Sequence, residues 1–421
     1  MPSVEATKAS RKAPKTPVRI GFLFNHDQVH QVAHGLPVAL ALAALGTGAE
    51  IIVCATNDRV AEEIRKLAGD AVGRDFDLVR LTLKRSSRLI DRLAGWLIPS
   101  AKLLVYRDNL EFFRSLDVLV VPEKTSLILK DRYHLDHLKI IHTRHGAGDR
   151  AIGFSKTSAR FDHILASGAK VRDRLVAEAG VPADRISVVG YPKFDLFEAP
   201  SRQSRADERP IVVYNPHVAP HLSSWYREGR KILRWFADHP EYRLIFAPHI
   251  MLFQRPVVVT IQPPRIARAG QVPPELRDRE NIHIDTGSRA LTTMDYMNAA
   301  DIYLGDASSQ IYEFLREPRP ALFFNAHGFD WEDDPNFAHW RAGTVISDVD
   351  ELGAALASAA AEHEARYRKV QSEMLRYTFD VSAEPSSVRA AEAIAGVAGL
   401  RSRRRKPRTA SAARSDALPS R

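Results

Sequence analysis

The chain is 421 residues long, 45% hydrophobic, and carries a formal net charge of +9. That length exceeds a single ordinary core and predicts two units of roughly 200 residues each. Residues 1–19 hold five Lys/Arg against one Glu, and residues 401–421 hold eight against one Asp, so the body between them has 47 basic and 49 acidic residues; that balance argues against a nucleic-acid groove and leaves no specific nucleic acid among the expected partners.

Apolar runs of strand length alternate with helical patterns along the body. Val18–Asn25 reads as the first strand, 31–45 as a helix, Glu50–Ala55 as the second strand and 60–67 as a helix. The single cysteine, Cys54, falls in a buried-strand pattern, so no disulfide framework exists. Between 84 and 98, Lys84, Arg85, Arg88 and Arg92 alternate with Leu89, Ile90, Leu93, Trp96, Leu97 and Ile98. That pattern fits a helix packed on the core or one lying at an anionic membrane surface. Runs at 78–83, 118–122, 139–142, 163–166 and 186–190 continue the strands, with a helix at 171–179. After an Arg, Ser, Glu and Pro-rich break the pattern restarts, with strands at 211–214, 244–247, 282–285, 302–304, 322–324 and 344–346. The proline-rich stretch 253–277 reads as a loop, and helices near 351–361, 364–375 and 385–398 end the fold. Alternation of this kind predicts an α/β protein of two Rossmann-like, doubly wound parallel-sheet domains facing a cleft. The expected division is a disordered basic tail at 1–17, an acceptor-side domain at 18–196, a linker at 197–210, a nucleotide-donor domain at 211–400 and a second basic tail at 401–421. No run approaches the ~20 apolar residues of a membrane span, and residues 1–19 lack a secretory segment. The expectation is a cytoplasmic protein, peripheral at the inner face of the plasma membrane where its basic segments meet lipid.

The motifs fall at strand ends. Gly305-Asp306-Ala307-Ser308-Ser309 follows a strand and precedes a helical pattern containing Glu313. Free N–H groups and two hydroxyls there suit an anion, although a serine closing a helix reads equally well. His145-Gly146 follows the strand at 139–142, with Asp149 and Arg150 just beyond; an imidazole beside a glycine turn suits proton transfer, or merely caps the turn. Gly190-Tyr191-Pro192-Lys193 marks the crossing between units and offers a cation for phosphate, or a plain stiff turn. Tyr214-Asn215-Pro216-His217, with His221, Ser223 and Ser224, and Pro248-His249 are further strand ends. Three such histidines beside a serine pair predict one shared site. His26, His30 and His34 recur every fourth residue and read as an acceptor-contacting segment, a structural one, or a metal-holding face without a matching ligand set.

Together these motifs resemble the CDP-glycerol glycerophosphotransferase family of teichoic-acid polymerase type. The resemblance covers roughly residues 135–380. His145-Gly146 is similar to the family's His-Gly, and Gly190-Tyr191-Pro192-Lys193-Phe194-Asp195 to its Gly-x-Pro-Arg-x-Asp. Pro248-His249 is similar to its second essential histidine, and Gly305 through Glu313 to its Ser-Asp-x-Ser-Ser…Glu; the segment 325–334 is similar to the aromatic and acidic stretch that follows. Tyr214-Asn215-Pro216-His217 departs from the family's Pro-Thr-Trp-Arg, and the N-terminal third does not match.

The resemblance implies the two-domain glycosyltransferase B fold and transfer of a polyol-phosphate group from a CDP-activated or other nucleotide-activated donor to an envelope glycan or lipid-linked acceptor. It implies His145 as general base and His249 as the group that holds donor phosphate or leaving-group charge. Gly146, Lys193, His217, Gly305, Asp306, Ser308, Ser309 and Glu313 are the expected donor-binding residues. His26, His30, Asp149 and Arg150 are expected on the acceptor side. No cofactor and no metal is expected. A nucleotide-sugar transferase or 2-epimerase is the alternative on the same fold, and a non-enzymatic anion or nucleic-acid binder acting through the tails is the alternative of another class.

Overall fold

The computed structural model describes residues 16–25, 29–94, 100–144, 148–197, 207–261 and 263–401, with the backbone alone at His30, Ala94, Ile152 and Ile261. Most of both basic tails, most of the linker, His26, His145 and Gly146 lie outside these residues.

Two parallel sheets organise the chain. The first holds seven strands in the order β3-β2-β1-β4-β5-β6-β7, where β1 is Arg19–Phe24, β2 Glu50–Ala55, β3 Asp77–Arg80, β4 Val118–Val121, β5 Lys139–Thr143, β6 His163–Ala166 and β7 Ile186–Val188. The second holds six in the order β12-β9-β8-β13-β14-β15. Here β8 is Ile211–Asn215, β9 Arg243–Phe246, β12 Ile282–Ile284, β13 Ile302–Gly305, β14 Ala321–Phe324 and β15 Thr344–Ile346. Strands such as Val118–Val121 and Ala321–Phe324 are buried at every residue, because helices cover both faces of a parallel sheet. Each sheet therefore separates two apolar clusters. The order reverses between β1 and β4 and between β8 and β13; the carboxyl ends of such strands leave the crevice where ligands bind.

Two details depart from the sequence expectation, the first and the last below, and another decides between alternatives it left open. The stretch expected as a loop forms an antiparallel hairpin, β10 Val258–Ile261 with β11 Pro264–Ala267, its prolines confined to the turn and strand start. The helix Arg85–Ala94 leaves Leu89, Ile90 and Leu93 exposed, so its apolar side does not pack on the core. Finally, the helix Ser386–Val397, expected in the second unit, packs on the first sheet. Its Ala390, Ala391, Ile394 and Ala395 share a core with Ile20, Phe22 and Phe24, and Lys139 Nζ reaches the Val397 carbonyl at 2.8 Å. The chain crosses back near Gly190, which adopts φ +85° and whose Cβ would lie 2.3 Å from Ser386 Oγ; only glycine meets both demands. Among the described residues no helix is long and apolar enough to cross a membrane.

Candidate functional site

The carboxyl end of β13 is built around Asp306, which is fully buried. Its carboxylate accepts the N–H groups of His217 and Ser224, each at 2.9 Å, and the Ser224 hydroxyl at 2.7 Å. Burial pushes its pKa up to about 7 against these donors. Asp306, expected at the donor, instead pins the segment after β8 to the end of β13 and so places His217. Gly305 likewise belongs to packing. It pairs within the sheet, and a Cβ there would meet the Tyr303 hydroxyl at 2.3 Å.

His217 and His249 face one another with ring centroids 5.9 Å apart. Nδ1 of His217 accepts the Ala219 N–H at 3.0 Å, and Nδ1 of His249 accepts the Met251 N–H at 3.3 Å. An Nδ1 that accepts leaves the proton of the neutral ring on Nε2. Burial holds His217 well below the ordinary histidine value, and a proton there would also be repelled by Arg150 and by any charge on His249, His221 or His339. Burial lowers His249 to about 4. Two neutral imidazoles of fixed tautomer therefore sit side by side, each with one N–H to give. Main-chain bonds from His249 N to the Pro216 carbonyl and from Leu252 N to the His249 carbonyl hold the second ring's segment rigid.

A cavity of about 270 Å³ lies between the sheets, lined in part by His217, His249, Ser308, Ser309, Lys193 and Glu313. Ser308 is buried and its hydroxyl accepts the Gln310 N–H at 3.3 Å, in the turn that leads into the next helix. The helix that follows, Ile311–Phe314, is a single turn with Gln310 at its N-cap, so the expected helix-end field is small and the side chains supply the donors. Ser309 is exposed, and a Cβ on Gly148 from the first unit would approach its Cβ to 3.2 Å.

Glu313 and Lys193, expected to take ribose hydroxyls and phosphate separately, bind each other. Lys193 Nζ lies 2.7 and 2.8 Å from the two carboxylate oxygens, and the Tyr191 hydroxyl donates to one of them at 3.1 Å. The pair joins the crossing segment to the second sheet at the cavity wall. Asp149, expected toward the acceptor, is buried as the centre of a second joint. It accepts from Lys170 at 2.8 Å and from the Tyr312 hydroxyl at 2.6 Å, with His339 Nδ1 3.0 Å away. Burial alone would raise its pKa, but the His339 bond and the Lys170 charge hold it well below the usual carboxylate range. A closed set of partners leaves Asp149 nothing for an acceptor. Arg150 is half-buried and does not line the cavity, though its charge reaches His217 and His221.

His26, His145 and Gly146 lie outside the described residues, and His30 contributes only its backbone, in the turn Val29–Gln31. The cavity also takes Gln31, His34, Tyr191, Leu291, Thr292 and Gln310. His34 continues the four-residue histidine spacing and Tyr191 stands inside the Gly190–Asp195 motif, so both were within reach of the sequence. Gln310 carried no signal of its own. Asn215 Nδ2 donates to its Oε1 at 2.7 Å, a contact only the folded sheet creates. Among the described residues no group of three His, Cys, Asp or Glu side chains could hold a metal ion.

No protein-family model and no curated protein matches the sequence. Among solved structures, the wall teichoic acid polymerase TagF superposes with a TM-score of 0.56 at 13% identity, covering 91% of this chain and 89% of that one. A UDP-N-acetylglucosamine 2-epimerase superposes equally, with a TM-score of 0.56 at 13% identity over 91% of this chain and 96% of that one. A putative UDP-N-acetylglucosamine 2-epimerase from Listeria monocytogenes gives 0.52 at 12% identity, over 90% and 95%. At such identities the likeness establishes architecture alone: two Rossmann-like parallel-sheet domains in the glycosyltransferase B arrangement.

Proposed function

We propose that the chain is a transferase moving a glycerophosphate or related polyol-phosphate group from a CDP-activated donor to an envelope glycan or lipid-linked acceptor. The observation that carries this reading is the His217–His249 pair, two neutral rings of fixed tautomer beside Ser308 and Ser309 in one inter-sheet cavity. Those groups are donors preorganised for phosphate oxygens, and preorganised donors stabilise charge that develops on a leaving group. The resemblance to the CDP-glycerol glycerophosphotransferase family supports the choice of donor, as does a TagF structure soaked with CDPG.

In this reading the acceptor hydroxyl gives its proton to His145 as its oxygen bonds to the phosphorus that bears the polyol. The bond from that phosphorus to the bridging oxygen breaks, and CMP leaves with the electron pair. Nε2–H of His217 and His249 donates to phosphate oxygens, and the Ser308 and Ser309 hydroxyls to the pyrophosphate. Ile250, Met251 and Leu291 offer the base an apolar wall. Glu313, neutralised by Lys193, can accept a ribose hydroxyl without setting a net negative charge beside the phosphates. Binding of CDP, UDP and GDP, read by thermal shift, followed by assay of CMP release from CDP-glycerol, tests the proposal. Stabilisation by CDP with CMP release is expected.

A second reading, a UDP-sugar transferase or 2-epimerase, rests on the equal superposition with the epimerase. Stabilisation by UDP alone, with turnover of a UDP-sugar and none of CDP-glycerol, would replace the first reading with it.

A further inference from the structure

The helix Arg85–Ala94 is oriented against the hydrophobic effect. Its polar edge faces the protein: Ser87 is fully buried and accepts from the Arg107 guanidinium at 2.5 Å. Asp91 accepts from the Ser100 hydroxyl at 2.6 Å and the Ala101 N–H at 2.9 Å. The Lys84 N–H, at the start, donates to Asp108 at 2.8 Å. The apolar side chains are left outside, with Leu89 59%, Ile90 43% and Leu93 70% exposed. Lys84, Arg85, Arg88 and Arg92 are exposed as well. With 3.6 residues per turn, Arg85, Arg88, Leu89, Arg92 and Leu93 share the arc opposite Ser87 and Asp91.

The helix also stands at the rim of the cleft. It packs on the helix Ser100–Asp108, whose Lys102 is tied to both switch-point strands of the first sheet. Asn25, just past β1, donates to the Lys102 carbonyl at 3.0 Å, and Glu123, just past β4, accepts from Lys102 Nζ at 3.3 Å.

We propose that the helix Arg85–Ala94 docks the protein on an anionic lipid surface. A protein groove that took Leu89 and Leu93 would have to bury Arg85, Arg88 and Arg92 beside them, each needing an acid of its own. A headgroup layer makes no such demand. Long basic side chains reach its phosphates while the leucines enter the acyl boundary. Docking there brings the cleft rim to the membrane, where a lipid-linked acceptor would be found. The docking itself does not depend on the identity of the donor.

The test is co-sedimentation of the full chain with phosphatidylcholine vesicles containing phosphatidylglycerol, against pure phosphatidylcholine vesicles. Wild type is expected to bind the anionic vesicles and to lose binding at high salt. Leu89→Glu with Leu93→Glu, and separately Arg85→Glu with Arg88→Glu, are expected to lower partitioning at least ~10-fold with the melting temperature unchanged, because these side chains are exposed. Variants that sediment like wild type would overturn the proposal and assign binding to another basic segment. So would a wild type that binds neither vesicle. Light scattering that shows a wild-type dimer, made monomeric by the leucine substitutions, would assign the face to a second copy instead. Turnover of CDP-glycerol with a soluble acceptor, measured on the same samples, separates loss of docking from failure of the proposed chemistry.

Discussion

The rim carrying His217, His249 and Ser308 and the cluster around the buried Asp149 both gather polar side chains where the two sheets meet, and use them in opposite ways. At Asp149 the donors close on protein: Lys170, Tyr312 and His339 converge on one carboxylate from both halves of the chain. At the rim, the hydrogen bonds that the His217 and His249 rings make among the described residues fall on the back of each ring. Main-chain N–H groups take Nδ1 of His217 and His249 and leave Nε2 toward the cavity they line. Polar residues in a cleft are therefore not one class. The saturated ones hold the two halves in register, and those with a donor left over can meet a ligand. The Glu313–Lys193 pair stands between these cases, closed on itself yet part of the cavity wall.

Breaking each side should give different readouts. The largest effect is expected at the proposed chemistry: His145→Ala or His249→Ala should lower transfer ~10²–10⁴-fold with the unfolding midpoint little changed. Near-normal turnover in a steady-state assay would remove that histidine from the reaction.

At the saturated cluster the effect should fall on stability. Asp149→Ala leaves Lys170 buried without its carboxylate, and breaking one partner of a buried pair costs roughly 3–5 kcal/mol. Urea denaturation would show it as a lower midpoint. An unchanged midpoint would mean that Asp149 is not the joint the contacts describe.

Smaller changes should follow at the serines. Ser308→Ala with Ser309→Ala is expected to weaken CDP-glycerol by about 1–3 kcal/mol, from two hydrogen bonds to charged oxygens, and CMP by less. Equal affinities of the double variant and wild type for both nucleotides in calorimetry would leave Ser308 only its turn-closing bond from Gln310.

The smallest effect should come from pH. His249 has a folded pKa of about 4, below the ordinary ~6.5. The stability contributed by its neutral ring is complete above pH ~6.5 and is lost as pH falls through the folded value. The melting temperature of wild type should therefore decline toward pH ~4 more steeply than that of His249→Gln. Parallel profiles would show that the ring is not buried as its surroundings indicate.

Much of this protein was fixed by pattern. Apolar runs such as Val118–Val121 and Ala321–Phe324, set between helical stretches, can only be strands covered on both faces, so two parallel sheets and strand-end motifs follow from residue order. The histidines at 217 and 249 were legible because a strand end in such a sheet opens on the crevice. Tertiary structure alone decided which polar residues stay available. Nothing local distinguishes Asp306, which ends buried beneath the segment after β8, from Ser308 two residues on, which lines the cavity. Nor does the Gly190–Asp195 motif reveal that Lys193 meets Glu313, 120 positions away. The helix Arg85–Ala94 gives the same lesson on the surface. Its amphipathic sequence fits either orientation, and the hydrogen bonds of Ser87 and Asp91 to the neighbouring helix turned its leucines outward. Local sequence sets periodicity because backbone geometry is local; the partner of a polar group is set by contacts between distant segments, and those exist only once the chain has closed.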